Sequence, residues 1–193
     1  LQEQYLRDVP KLLATLGLDL RVVLAKGRQR YLCNRNLADL VGAPDASPSD
    51  YDLDPAWPRP PKDGETQTLE ALSDALNAGW SGDLDNAPVQ IPADLRPLLT
   101  TPSAACAGRA CPFASQCGYL NARAQRESAD IVISNHDVLL TDLGLTRETE
   151  DGDLLPGGVL LPPPESSFYI LDEAHHLGER AAERDGIELP LSG

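Results

Sequence analysis

Aromatic residues are scarce in this chain: two Trp, two Phe and five Tyr among 193 residues. With 41% hydrophobic residues overall, a core has to be built mostly from Leu, Val, Ala and Ile. No apolar run reaches the roughly 18 residues that suggest a membrane-spanning helix, and there is no secretory h-region. The sequence therefore suggests neither membrane insertion nor export and reads as cytoplasmic. It also lacks G-x-x-x-x-G-K-[ST], so it has no phosphate cradle of that type. The chain opens on Leu1 rather than Met and stops in "IELPLSG". It reads as a piece of a longer protein, long enough for one domain or one domain plus part of another.

Positive charge is short overall, with a net charge of -14, which taken alone argues against a nucleic-acid partner. Its distribution is uneven. Residues 1–36 carry seven Lys/Arg and three acids, while residues 37–100 carry twelve acids and three bases. A cation-rich segment containing Lys26, Arg28, Arg30 and Arg35 thus surrounds Cys33, and an acidic, Pro-rich stretch follows. Charge alone favours solvated surface.

Apolar spacing organises the rest. "LQEQYLRDVPKLLATLG" has helical periodicity, with Pro10 as a point of breakage or restart. "LRVVLAKG" (20–27) reads as a short strand and "CNRNLADLV" as a helix. Residues 42–61 read as loop. "ETQTLEALSDALNAGW" (65–80) is an amphipathic helix with Leu69, Leu72, Leu76 and Trp80 on one side. Residues 88–102 are loop with a short helix, and 112–130 form a helix. "DIVISNHDVLLTDL" is a buried strand followed by a helical turn. A Pro/Gly-rich excursion follows, with a hairpin around Pro156–Gly158, and "FYILDEAHHLGERAAER" is an apolar strand leading into a helix. Apolar strands alternating with helices indicate an α/β fold with a parallel sheet, interrupted by a helical, cysteine-bearing insertion at 27–129.

Four cysteines stand at 33, 106, 111 and 117, separated by 72, 4 and 5 residues. In a reducing compartment such a group indicates metal ligands rather than disulfides. Zinc sites favour knuckles with two to four residues between ligands. Four thiolates around an iron–sulfur cubane stand farther apart, which suits the wider gaps here. Spacing alone leaves iron–sulfur and zinc close, and four inert buried thiols are a third reading.

The segment "FYILDEAHH" ends an apolar run in Asp172 and Glu173. At the C-terminal edge of a parallel sheet this is the Walker B position, where the Asp helps hold Mg²⁺ and the Glu orients the attacking water. Carboxylates favoured by a helix N-terminus are the blander explanation. His175 and His176 are neighbours, and adjacent side chains on a helix do not face each other. His176 is read as ordinary surface. His136, in "SNHDVLL", fits either a ligand or a hydrogen-bonded core histidine.

Taken together, "KGRQRYLCNRNL", "CAGRACPFASQC", "ADIVISNHDVLL" and "YILDEAHHL" resemble iron–sulfur superfamily 2 DNA helicases of the DinG/XPD type, in particular the bacterial DinG/YoaA branch. "LQEQYLRDVPKL" is similar to the family's motif Ia helix. The resemblance runs through nearly the whole chain and is weakest from about 42 to 100. It implies a partial RecA-like motor domain, with 1–26 and 130–193 belonging to that domain and 27–129 forming its cluster insertion.

The resemblance further implies that Cys33, Cys106, Cys111 and Cys117 ligate a [4Fe–4S] cluster. Asp172 coordinates Mg²⁺, Glu173 polarises the hydrolytic water, and Ala174 and His175 complete the DEAH motif, with His175 linking nucleotide state to DNA. Lys26, Arg28, Arg30, Tyr31, Arg35, Asn135 and His136 are placed at the DNA. Members of the family use ATP to move 5′ to 3′ on single-stranded DNA and part forked duplexes. A Walker A segment, an arch and a second motor domain would be the partners within the longer chain. Alone, the piece is expected to drive no unwinding. Two other classes remain open: a zinc-stabilised, non-enzymatic DNA-binding module, and an iron–sulfur electron-transfer protein.

Overall fold

The computed structural model describes residues 2–42, 63–149 and 151–185; the expected loop at 43–61 lies outside them. The fold is mixed α/β and divides into two compact units, residues 1–26 with 125–193, and residues 27–124. Among the described residues no helix is long and apolar enough to cross a membrane.

In the first unit, helix α1 (Gln2–Thr15) runs straight through Pro10. The proline removes one i→i−4 bond, yet the flanking turns hold, and Leu13 is buried. Strand β1 (Val22–Leu24) pairs in parallel with β2 (Ile131–Ile133), in the register Val22 opposite Ile131. The two strands are more than 100 residues apart in the chain, and the whole second unit is their crossover. Asp130 anchors the pair at its start: its carboxylate accepts the Arg21 backbone N–H at 2.8 Å, and Arg21 Nη1 donates to Ser128 Oγ at 2.6 Å. Helix α6 (His136–Leu143) follows β2 directly. Ala25, Val138, Leu139 and Leu161 form this unit's core, with Val132, Leu160 and Leu177 packed on it.

Asp142, on α6, is 1% exposed. Its carboxylate accepts three successive backbone N–H groups, from Gly158 (2.9 Å), Val159 (2.8 Å) and Leu160 (2.6 Å). Gly157 and Gly158 both take positive φ, 73° and 75°, which lets the main chain curl around the carboxylate. The hairpin expected in this region exists, formed by β3 (Thr146–Glu148) and β4 (Leu154–Pro156). It is closed, however, by Thr149 N–H to Asp153 O at 2.9 Å, before β4. The glycine pair read as the hairpin tip is used instead to wrap Asp142.

The expected strand at 168–171 is absent: these residues are irregular, with Phe168 and Ile170 almost fully exposed. A parallel strand holds only against a neighbour's main chain, and among the described residues β1 and β2 pair only with each other.

The second unit contains α2 (Asn34–Val41), α3 (Asp63–Asn77), α4 (Arg96–Leu99) and α5 (Gly118–Glu127), with its boundary inside α5. Its core is eight leucines (32, 37, 69, 72, 84, 95, 98 and 99), against which Leu76 and Trp80 pack. This is the aliphatic core that the shortage of aromatics predicts. Backbone bonds Leu32 N–H to Gly82 O and Cys33 N–H to Leu99 O, both 2.8 Å, hold the segment before α2 in place. Asn36 adds side-chain bonds to the carbonyls of Leu98 and Thr100.

Candidate functional site

The four cysteines all belong to the second unit, and their backbones share one conformation. Cys106, Cys111 and Cys117 each follow a single 3₁₀ turn, Ser103–Ala105, Gly108–Ala110 and Ala114–Gln116. Cys33 caps the N-terminus of α2. All four have extended φ/ψ, which turns the chain sharply at each thiol. Small residues make the turns possible: Ala, Ser and Gly dominate them, and Gly108 takes φ +57°. The Gly108 N–H also points at Cys106 Sγ, 3.4 Å away, the sense of hydrogen bond that stabilises a thiolate.

Cys33 is brought to the other three by its successors. Asn34 Nδ2 donates to the carbonyl of Gln116, immediately before Cys117, at 3.3 Å. Arg35 Nη2 donates to the carbonyl of Ala105, immediately before Cys106, at 3.3 Å. Burial pushes the Cys33 thiol above its ordinary pKa, against the pull of Arg35, and the nearby Cys111 pushes it in the same direction. A partly desolvated thiol of this kind is readily ionised only when a metal takes its charge.

All four cysteines are free and half-buried, a donor set that fits a thiolate-bound metal centre.

Gly118, directly after Cys117, is the tightest point of the frame. A Cβ there would lie 2.0 Å from the Ser81 carbonyl oxygen. Gly118→Ala is therefore expected to push the start of α5 and Cys117 off Ser81 at a cost of about 1–3 kcal/mol. The check is a lower thermal midpoint together with reduced metal content per chain. Asn34 also lines a cavity of about 580 Å³ with Trp80, Phe113 and Gln116.

The basic residues near Cys33 are largely engaged within this unit. The Arg28 guanidinium lies over the Tyr119 ring, 4.4 Å from its centroid. Arg30 and Arg96 both pair with Asp85 Oδ1 at 3.0 Å, and Arg35 is committed to Ala105. Tyr31, expected as a stacking platform, is 7% exposed and meets Tyr119 edge-on at 6.0 Å. Its ring packs inside the unit. Lys26 belongs to the first unit and is half-buried.

In the first unit the structure joins two motifs that lie 36 residues apart. His136 Nε2 is 3.0 Å from the backbone oxygen of Asp172. Asn135, just before it, caps α6 by accepting the Val138 N–H at 2.9 Å. The first acid of DEAH thus sits beside the C-terminal end of β2 even without a strand of its own. Asp172 also accepts a hydrogen bond from the Tyr5 hydroxyl, and this bond raises the Tyr5 pKa. Sequence reading missed Tyr5; it is one of several apolar positions in a helical repeat, and nothing in that repeat marks it. Asp172 Oδ1 accepts the Glu173 N–H at 3.0 Å. Glu173 has φ +51°, the one positive-φ non-glycine residue among those described, followed by a 3₁₀ turn, Ala174–His176.

No family model matches the chain. Curated relatives do. It is 34% identical over 200 residues to the ATP-dependent DNA helicase DinG of Photobacterium profundum, covering 100% of this chain and 26% of that protein. Its homologues are DinG helicases. The DinG proteins of Escherichia coli K12 and Salmonella typhimurium are each 31% identical over 195 residues, 98% of this chain and 25% of theirs. The chain spans about a quarter of the length of the curated relatives it matches. Both the cysteine turns and the His136–Asp172 contact lie inside the stretch shared with DinG.

Proposed function

We propose that this chain is the cluster-bearing part of an ATP-dependent 5′–3′ DNA helicase. The observation that carries it is the frame around the four thiols: Asn34 and Arg35 hold the Cys33 segment to the carbonyls beside Cys117 and Cys106. Cys33, Cys106, Cys111 and Cys117 would hold a [4Fe–4S] cluster. Bound there, the cluster supplies a rigid cross-link between segments more than seventy residues apart, and its binding energy acts as folding energy. The sequence gaps of 72, 4 and 5 residues between the cysteines, wider than zinc knuckles, support iron–sulfur over the zinc-stabilised module.

In this reading the first unit belongs to a RecA-like motor domain. Asp172 would hold Mg²⁺ and Glu173 would orient the attacking water on ATP. His136 and Tyr5 position Asp172 through its carbonyl and carboxylate. The exposed Phe168, Ile170, Leu12 and Leu16 support further motor-domain elements packing here, including a Walker A segment, with the arch and second motor domain completing the enzyme. Single-stranded and forked DNA are its substrates. Arg109 and Arg123, in and just after the cysteine turns, add positive charge to Arg28 and Arg35 for phosphate contact.

The deciding experiment is iron and acid-labile sulfide analysis on anaerobically purified protein, comparing the native chain with Cys111→Ser. About four of each per chain, lost in the variant, is the expected result. One zinc without sulfide would replace this reading with the zinc module. A full cluster in a protein without DNA affinity would favour the electron-transfer reading.

A further inference from the structure

The Ala174–His176 turn gathers a second set of ligating side chains, far simpler than the cysteines. One ligand atom each of Glu173, His175 and His176 lies within 4.8 Å of the other two. On an α-helix adjacent histidines would diverge by about 100°. A 3₁₀ turn spreads neighbours by about 120°, yet in the turn Ala174–His176 the two side chains converge. The two imidazole centroids are 3.9 Å apart, and His175 Nδ1 is 3.3 Å from Glu173 Oε2. On the far side, Glu179 Oε2 comes within 3.8 Å of His176 Nδ1 and is placed to become a fourth ligand. All three residues are exposed, so an ion can enter without unfolding anything.

Two imidazoles and a carboxylate are a zinc donor set, with bonds of about 2.0–2.2 Å. Such bonds put neighbouring ligand atoms about 3.4 Å apart around a tetrahedral ion, a modest contraction from the spacing seen. Imidazole nitrogen also suits Co²⁺ and Ni²⁺, whereas Mg²⁺ prefers an all-oxygen shell.

We propose that Glu173, His175 and His176 form a binding site for a zinc-class dication, separate from the four thiols. An ion held there engages the Glu173 carboxylate and the His175 imidazole, and so removes both from ATP hydrolysis. The inhibition rests on the function proposed above; the binding does not.

Cobalt(II) distinguishes the two metal-binding regions, because thiolate ligation gives intense charge-transfer absorption while nitrogen and oxygen ligands give weak d–d bands. Titration of the native chain is expected to reveal one nitrogen/oxygen-ligated cobalt per chain. His176→Ala, and His176→Asn as a second exposed substitution, should weaken that ion by about tenfold or more and leave any thiolate band unchanged. Equal nitrogen/oxygen-ligated uptake by the native chain and both variants would overturn the site. In the longer protein, zinc should lower DNA-dependent ATP turnover at concentrations that spare His176→Ala. Turnover that is insensitive to zinc in the native protein would overturn the inhibition. Absence of turnover even without zinc would instead count against the proposed function.

Discussion

Asp142→Ala is expected to be among the most destabilising single changes in this chain, costing about 3–5 kcal/mol. The carboxylate is almost wholly buried and is the shared acceptor for three consecutive N–H groups. Truncation strands all three donors, each worth about 1–3 kcal/mol when left unpaired in a partly buried place. No side chain nearby can replace a two-oxygen acceptor, because the chain at Gly157–Gly158 is shaped around it. Asp142→Asn should fall between: it keeps the volume but turns an –NH₂ toward one of the donors. Hydrogen exchange at Gly158, Val159 and Leu160 should rise sharply in both variants, ahead of the leucine core of the second unit. An unchanged denaturation midpoint with unchanged exchange at these three amides would refute the anchoring role.

Glu173→Gln, made in the longer protein, is expected to lower DNA-dependent ATP turnover by about 10²–10³-fold while ATP binding persists. The substitution preserves shape and removes the charge that, in the proposed role, orients and polarises the attacking water. Loss of one preorganised group that acts in the transition state is worth this much in kcat. The backbone argues that the position is special: a glutamate held at φ +51° pays a local strain that a surface residue without a task would relax. Turnover within threefold of the native enzyme would remove Glu173 from the hydrolytic role. Unchanged kcat with a raised KM would reassign it to nucleotide binding.

Most helices were legible because their signal is local. α2 and α3 bury leucines at helical spacing, and the scarcity of aromatics foretold an aliphatic core, which in the second unit is leucine. β1 and β2 were readable as short apolar runs flanked by polar residues. The same rule failed at "FYIL", where an equally apolar run is irregular. A strand needs a neighbour's main chain as much as its own composition, and that neighbour is not encoded in the run. The hairpin tip was misplaced because two turn signals compete, "DGD" and "PGG". The first makes the turn and the second wraps Asp142, a residue that looks like an ordinary polar position in α6. The cation-rich segment around Cys33 was legible as charge, but the contacts that Arg28, Arg30 and Arg35 make within their own unit, and the burial of Tyr31, were not.

Sequence by itself determined where most helices lie, though not that the one expected over 112–130 begins only at Gly118; it also determined that the core is aliphatic, and that four thiols and a DEAH acid pair belong to one chain. Only the tertiary structure decided what holds those groups in place. Asn34 reaches the carbonyl of Gln116 across 82 residues and Arg35 that of Ala105 across 70, while His136 reaches the carbonyl of Asp172 across 36. These partners are main-chain oxygens, which every residue possesses. A bond to such an atom places no demand on the side chain there, so it leaves no trace in the sequence and exists only once the fold brings the two segments together.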